Sequence, residues 1–179
     1  FIYIKATEGA TLRNSYYAND YASARRHGYR AGAYHFFSTK SSARQQAAFF
    51  IKHSRYSAGD LPPALDVEPS AVQIKNMGGA AVLLASVRQW LEIVGRQRGV
   101  RPIIYVSQQF VNKYLNASYA DGEHLRRNYQ IWIARYGEYK PDVHLAIWQL
   151  SPDGAVRGIK GHVDINVFNG FEPAFRNFR

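Results

Sequence analysis

Asp66 and Glu68 stand two residues apart in the run Leu61-Pro62-Pro63-Ala64-Leu65-Asp66-Val67-Glu68. On a strand the side chains alternate, so both carboxylates face one way while Leu65 and Val67 face the other. Two carboxylates in a partly dry site cannot both ionise freely, and one is expected to keep its proton beside a charged neighbour. An acid next to a carboxylate is the division of labour that cleavage of a glycosidic bond requires. Spacing alone also fits a plainer alternative, a pair of surface carboxylates bound to a helix N-terminus or an arginine. Asp164 and Asn166 repeat the i, i+2 geometry near the C-terminus. A third carboxylate there would orient a substrate or sit near a developing positive charge, and an Asx turn after Gly161-His162 is the alternative.

Aromatic residues gather near the same strand ends. Tyr34, Tyr105, Trp132, Tyr136 and Trp148 all fall late in apolar runs, and Gln149 follows Trp148 directly. Flat sugar faces stack on such rings, and the polar tips take hydrogen bonds. For each ring taken singly, ordinary core packing explains its position equally well. His35 reads as a structural histidine with its hydrogen bonds satisfied, because the six histidines show no metal-ligand spacing. Lys5 either turns inward to pair with a carboxylate or faces solvent. Nucleophile-elbow, Walker and dinucleotide-binding signatures are missing, and with no cysteine there is no thiol nucleophile and no disulfide.

Strands and helices alternate along most of the chain. The pattern predicts strands over Phe1 to Ala6, Arg30 to Phe37, Leu61 to Glu68 and Arg101 to Ser107. Helices are expected over Tyr16 to His27, Ser41 to His53 and Gly79 to Arg98, with helical material between Gln109 and Arg127. Leu83, Val87, Trp90, Leu91 and Val94 form one apolar stripe on the longest of these. Near-continuous apolar strands between helices call for a parallel sheet with helices outside it. Three more strands are expected at Tyr129 to Tyr136, His144 to Leu150 and Val163 to Phe168. Gly137 to Val143 is too short for a crossover helix, which takes roughly a dozen residues, so the final strands are expected to pair partly antiparallel. The expected fold class is therefore α/β: a β/α barrel whose last strands have lost their helices. In such a barrel the working residues sit at the C-terminal strand ends, where both carboxylates and aromatics fall.

At 179 residues, 46% hydrophobic and 20% charged, the chain fits one folded domain over residues 1–179. No apolar run nears the ~18 residues that would span a membrane, and Phe1-Ile2-Tyr3-Ile4-Lys5 does not read as an export signal. The net charge of +10 attracts polyanions, among them nucleic acid, anionic membranes and the acidic polymers of bacterial walls. No nucleic-acid-binding motif accompanies that charge.

Six segments in order carry a resemblance: Phe1-Ile2-Tyr3-Ile4-Lys5-Ala6-Thr7-Glu8-Gly9, Gly32-Ala33-Tyr34-His35-Phe36-Phe37, Leu61 to Glu68, Trp132-Ile133-Ala134-Arg135-Tyr136, Ile147-Trp148-Gln149 and Gly161-His162-Val163-Asp164-Ile165-Asn166. Together they resemble glycoside hydrolase family 25, the Chalaropsis-type lysozymes. The resemblance implies an irregular, flattened TIM-like β/α barrel with antiparallel pairing near its end. It implies hydrolysis, with net retention, of the β-1,4 bond between N-acetylmuramic acid and N-acetylglucosamine in peptidoglycan. Neither a metal nor an organic cofactor is implied. Glu68 matches the family's proton donor, Asp66 its partner carboxylate and Asp164 the acid of the last strand. Tyr34, Tyr105, Trp132, Tyr136, Trp148 and Gln149 are then the expected substrate-binding residues. A monomer acting outside the cytoplasm, at the cell envelope, is expected. The family carries a further aspartate on a first strand upstream of the Tyr-Ile-Lys-Ala-Thr-Glu-Gly stretch. Nothing in residues 1–179 matches it, so that strand is expected to be missing from this sequence. A catalytically silent wall-binding module of the same fold is the alternative reading.

Overall fold

The computed structural model describes residues 1–134 and 144–179. In chain order its elements are β1 (Ile2–Glu8), β2 (Leu12–Arg13), α1 (Tyr17–Arg26), β3 (Ala31–Phe36), α2 (Ala43–His53), β4 (Ala64–Asp66), α3 (Ala71–Asn76), α4 (Ala80–Arg98) and β5 (Ile103–Ser107). They continue with α5 (Gln108–Tyr114), α6 (Ala120–Asn128), β6 (Ile131–Ala134), β7 (Leu145–Gly154), β8 (Val163–Phe168) and α7 (Glu172–Arg176). Two compact units divide the chain, Phe1–Ile104 with Phe178–Arg179, and Tyr105–Asn177.

In the first unit β1, β3 and β4 lie side by side and parallel, as alternation of strand and helix predicts. Ile103 continues the ladder by donating its N–H to the Pro63 carbonyl at 2.9 Å. The short β2 folds back antiparallel on the end of β1, a two-residue pairing with no hydrophobic period to announce it. The apolar stripe of α4 is fully buried, and α2 packs across it through Ala43, Ala47 and Phe50. The Trp90 ring is completely enclosed, with Phe50 5.1 Å away centroid to centroid and His35 stacked on it at 5.4 Å. Helix ends follow local chemistry. Ser42 and Gln45 form a reciprocal capping box on α2, Ser70 and Gln73 do the same on α3, and Gly99 closes α4 in the left-handed region at φ 66°. Gly32 is required by a close approach: a Cβ there would stand 2.4 Å from the Tyr3 ring.

A bulge between Lys5 and Thr7 changes how β1 faces its neighbours. Strict alternation would put Lys5 and Thr7 on one face. Instead Thr7 pairs with His35 on the helix side, while Lys5 pairs with Tyr34 on the other. Ala6 and Thr7 are consequently both buried.

In the second unit β7 and β8 are antiparallel, as expected. The pairing of β6 with β7 corrects the sequence reading: these strands are parallel, with Trp132 opposite Ile147 and Ala134 opposite Gln149. The crossover rule assumes a helix in the return path. The length of a connection limits whether it holds a crossover helix, and it does not by itself set the direction of the strands it joins.

Candidate active site

The first unit builds a carboxylate-lined cleft at the C-terminal ends of its parallel strands. Register places Glu8, Phe36 and Asp66 abreast on β1, β3 and β4, and Lys5 opposite Tyr34 one step back. All of these face away from the helices, because the intervening His35, Leu65 and Val67 are completely buried. Asp66 is half-buried at the last position of β4, and Glu68 lies beyond it, exposed. The burial sequence half-buried, buried, exposed over Asp66, Val67 and Glu68 keeps the alternation that the sequence predicts. Glu68, Pro69 and Gln73 line a cleft of about 170 Å³ together with Glu8 and residues 36–40.

Lys5 turns inward. Its Nζ donates to Glu8 Oε2 at 2.7 Å and lies 4.9 Å from the centre of the Phe36 ring. Glu8, Lys40 and Gln73 are cleft residues that sequence reasoning did not single out. Glu8 stood at a predicted strand end and Gln73 in a capping box, whereas nothing in the polar stretch Ser38 to Ser42 marks Lys40.

Beneath the cleft runs a buried polar chain. The Gln46 amide oxygen accepts from His35 Nε2 at 3.0 Å and from the Ser38 N–H at 2.9 Å. Its Nε2 donates to the carbonyls of Ser38 and Ser41, both at 2.8 Å. With Nε2 donating, His35 Nδ1 accepts from the Thr7 hydroxyl at 2.7 Å. His35 is therefore the satisfied structural histidine that the sequence suggests. Burial pushes its pKa down from 6.5 to about 4, opposed by the hydrogen bond to Gln46 and by Glu8, while Lys5 lowers it further. The other enclosed carboxylate of this unit, Asp60, is engaged structurally: it accepts from Tyr21 at 2.5 Å, from the Ser57 N–H at 2.7 Å and from Arg25.

The second unit carries the aromatic and amide group. Tyr105 donates its hydroxyl to Gln149 Oε1 at 2.7 Å and meets the Trp132 ring edge to face, 5.0 Å between centroids. Trp132 Nε1–H donates to Asn166 Oδ1 at 2.7 Å. Gln149 and Asn166 are register partners across β7 and β8, and Asp164, two residues before Asn166, shares their face with its side chain exposed. Trp132 is only 7% exposed, so it acts as a supporting wall more than as an open stacking surface. Trp148 stands apart: it is paired with Ile133 and Val167, on the face opposite Gln149. Tyr136 lies outside the described residues. Among the described residues no group of His, Cys, Asp and Glu is arranged to hold a metal ion, and no helix is long and apolar enough to cross a membrane.

Comparison with known proteins places the fold. The family model described as glycosyl hydrolases family 25 matches residues 1–159. An uncharacterized protein of Escherichia coli K12, YegX, is 38% identical over 95% of this chain and 59% of its own length. Lysozyme M1 of Streptomyces globisporus is 29% identical over 95% of the chain and 60% of its own. The chain thus spans about three-fifths of the curated relatives it matches. Among solved structures, a family 25 glycosyl hydrolase from Bacillus anthracis superposes with a TM-score of 0.82 at 29% identity, covering 98% of this chain and 81% of that one. A lysozyme from Streptomyces coelicolor gives 0.83 at 25% identity, covering 99% and 85%. The α/β fold expected from the sequence, an irregular β/α barrel with antiparallel pairing at its end, is the fold of these proteins. From matching segments, matching fold and a family model spanning most of its length, the chain belongs to family 25 of the glycosyl hydrolases.

Proposed function

We propose that this protein hydrolyses the β-1,4 bond between N-acetylmuramic acid and N-acetylglucosamine in peptidoglycan, with Glu68 as the general acid. The observation that carries the reading is the placement of Glu68 in a strand-end cleft, two residues beyond the half-buried Asp66 on the same face. Glu68 is accessible to a polymer and delivers its proton to the leaving oxygen. Asp66 stays charged and stabilises the oxocarbenium-like centre that develops on the sugar. The Lys5 ammonium beside Glu8 offsets the third negative charge at this cleft, so that the carboxylates do not simply repel one another. Tyr105, Trp132 and Gln149 form a fixed sugar-binding surface, each ring or amide held by a neighbour, and Asp164 orients an amide-bearing sugar there. Reaction proceeds with net retention, as the family resemblance implies. The basic surface concentrates the protein on an anionic wall polymer outside the cytoplasm.

Incubation of the protein with purified peptidoglycan tests the activity. New reducing ends accumulate in step with falling turbidity. A folded preparation that releases none above the blank removes the hydrolase reading in favour of a silent binding module.

A further inference from the structure

We infer that Lys40 is a specificity residue that reads a carboxylate carried by the substrate beside the scissile bond. The inference rests on the glycan-hydrolase reading and concerns the same cleft. Lys40 lines that cleft together with Glu68, is exposed, and forms no ion pair among the described residues. Lys5, the other lysine close by, is engaged with Glu8 and with the Phe36 ring. With Lys5 paired to Glu8 and the Asp66 carboxylate half-buried at the strand end, the exposed Lys40 ammonium is the cleft-lining cation that a substrate's negative group can reach. Such a cleft favours a substrate with a negative group close to the bond being cut and gives nothing extra to a neutral glycan.

The backbone that presents Lys40 is fixed by groups whose burial makes them hard to move. Gln46, fully buried, ties the N–H and carbonyl of Ser38 and the carbonyl of Ser41 with a single amide, bracketing Lys40 on both sides. Lys40 N–H also donates to the Ser38 hydroxyl at 3.2 Å. A charged group held on a bracketed loop loses less freedom on binding than one on a free tail, and so discriminates better. The recognised chemistry is a carboxylate. In peptidoglycan it has two sources, the lactyl group of a peptide-free muramic acid and the free carboxyls of an attached peptide.

Lys40→Met and Lys40→Arg distinguish the outcomes on three substrates: peptide-bearing strands, strands stripped of peptide, and neutral N-acetylglucosamine oligomers. Lys40→Met is expected to lower kcat/KM about tenfold on carboxylate-bearing glycan, mainly through KM, as befits one charge-assisted contact. Lys40→Arg keeps most of it, and all variants act alike on the neutral oligomers. A loss confined to stripped strands identifies the lactyl carboxylate; one confined to peptide-bearing strands identifies the peptide. Equal loss on neutral and charged glycans, or no loss on any, overturns the inference. Binding of the same three glycans, measured by calorimetry in a Glu68→Gln background, separates this result from the hydrolase reading. A Lys40-dependent preference for the charged glycans there, in a protein whose wild type cleaves nothing, would sink the activity and leave the carboxylate contact standing.

Discussion

Glu68→Gln is expected to leave a folded protein that binds glycan strands and to lower hydrolysis about a thousandfold. Glutamine keeps the size and polarity of the side chain but has no proton to give a leaving oxygen near neutral pH. The position allows a clean reading, because Glu68 lies beyond the end of β4 and is exposed. Substitutions at such places shift stability by about 0.5 kcal/mol or less, so an unchanged melting temperature should accompany the lost rate. Glycan binding, supported by the Tyr105, Trp132 and Gln149 group, should survive. Hydrolysis that persists near the wild-type rate in a folded Glu68→Gln would mean that another residue donates the proton.

The second large effect is on stability. His35 is neutral in the folded protein, with its pKa held at about 4 against an ordinary 6.5, chiefly because it is buried. A folded state that resists protonation is favoured wherever the unfolded chain's histidine is neutral as well. That contribution is complete above pH 6.5 and is lost progressively as pH falls from 6.5 to about 4, below which it changes no further. The gap corresponds to about 3 kcal/mol. Unfolding free energy from urea titration should therefore drop by about that amount from His35 alone between pH 7 and pH 4. His35→Gln should flatten this part of the slope even if its stability is lower throughout. An imidazole that titrates near 6.5 by NMR would contradict the account. The consequence reaches the cleft, because His35 holds Gln46, and Gln46 holds the Ser38–Ser41 backbone that presents Lys40.

Much of this is legible in the sequence. Period-two and period-3.6 patterns located seven of the eight strands in the described residues, and the helices that enclose Trp90, because burial on one face imposes those periods. The i, i+2 spacing of Asp66 and Glu68 translated directly into a shared face. Alternation fails where the backbone inserts a residue. The bulge after Lys5 separates Lys5 from Thr7, and only pairing with β3 reveals it. Adjacent residues on a strand face opposite ways, and the pairing shows that Gln149, not Trp148, joins Tyr105 and Asn166. The short helix α3 was hidden because six residues carry too little periodicity, although Ser70 and Gln73 spell its capping box. Lys40 was illegible for a different reason: its importance comes from Gln46, six residues on, anchoring its loop from below. The parallel pairing of β6 with β7 was missed because the spacing between two strands bounds a crossover helix and leaves the direction of the strands open.

The identity of the sugar at each newly exposed reducing end tests the central claim most directly. Peptidoglycan digested by the full-length protein is reduced with borohydride, hydrolysed in acid and its amino sugar alcohols separated. Cleavage at the bond proposed here yields muramitol and leaves glucosaminitol at background. Glucosaminitol as the new product would show that the protein cuts the other glycosidic bond of the polymer, contradicting the assignment of the Asp66 and Glu68 cleft to a muramidase.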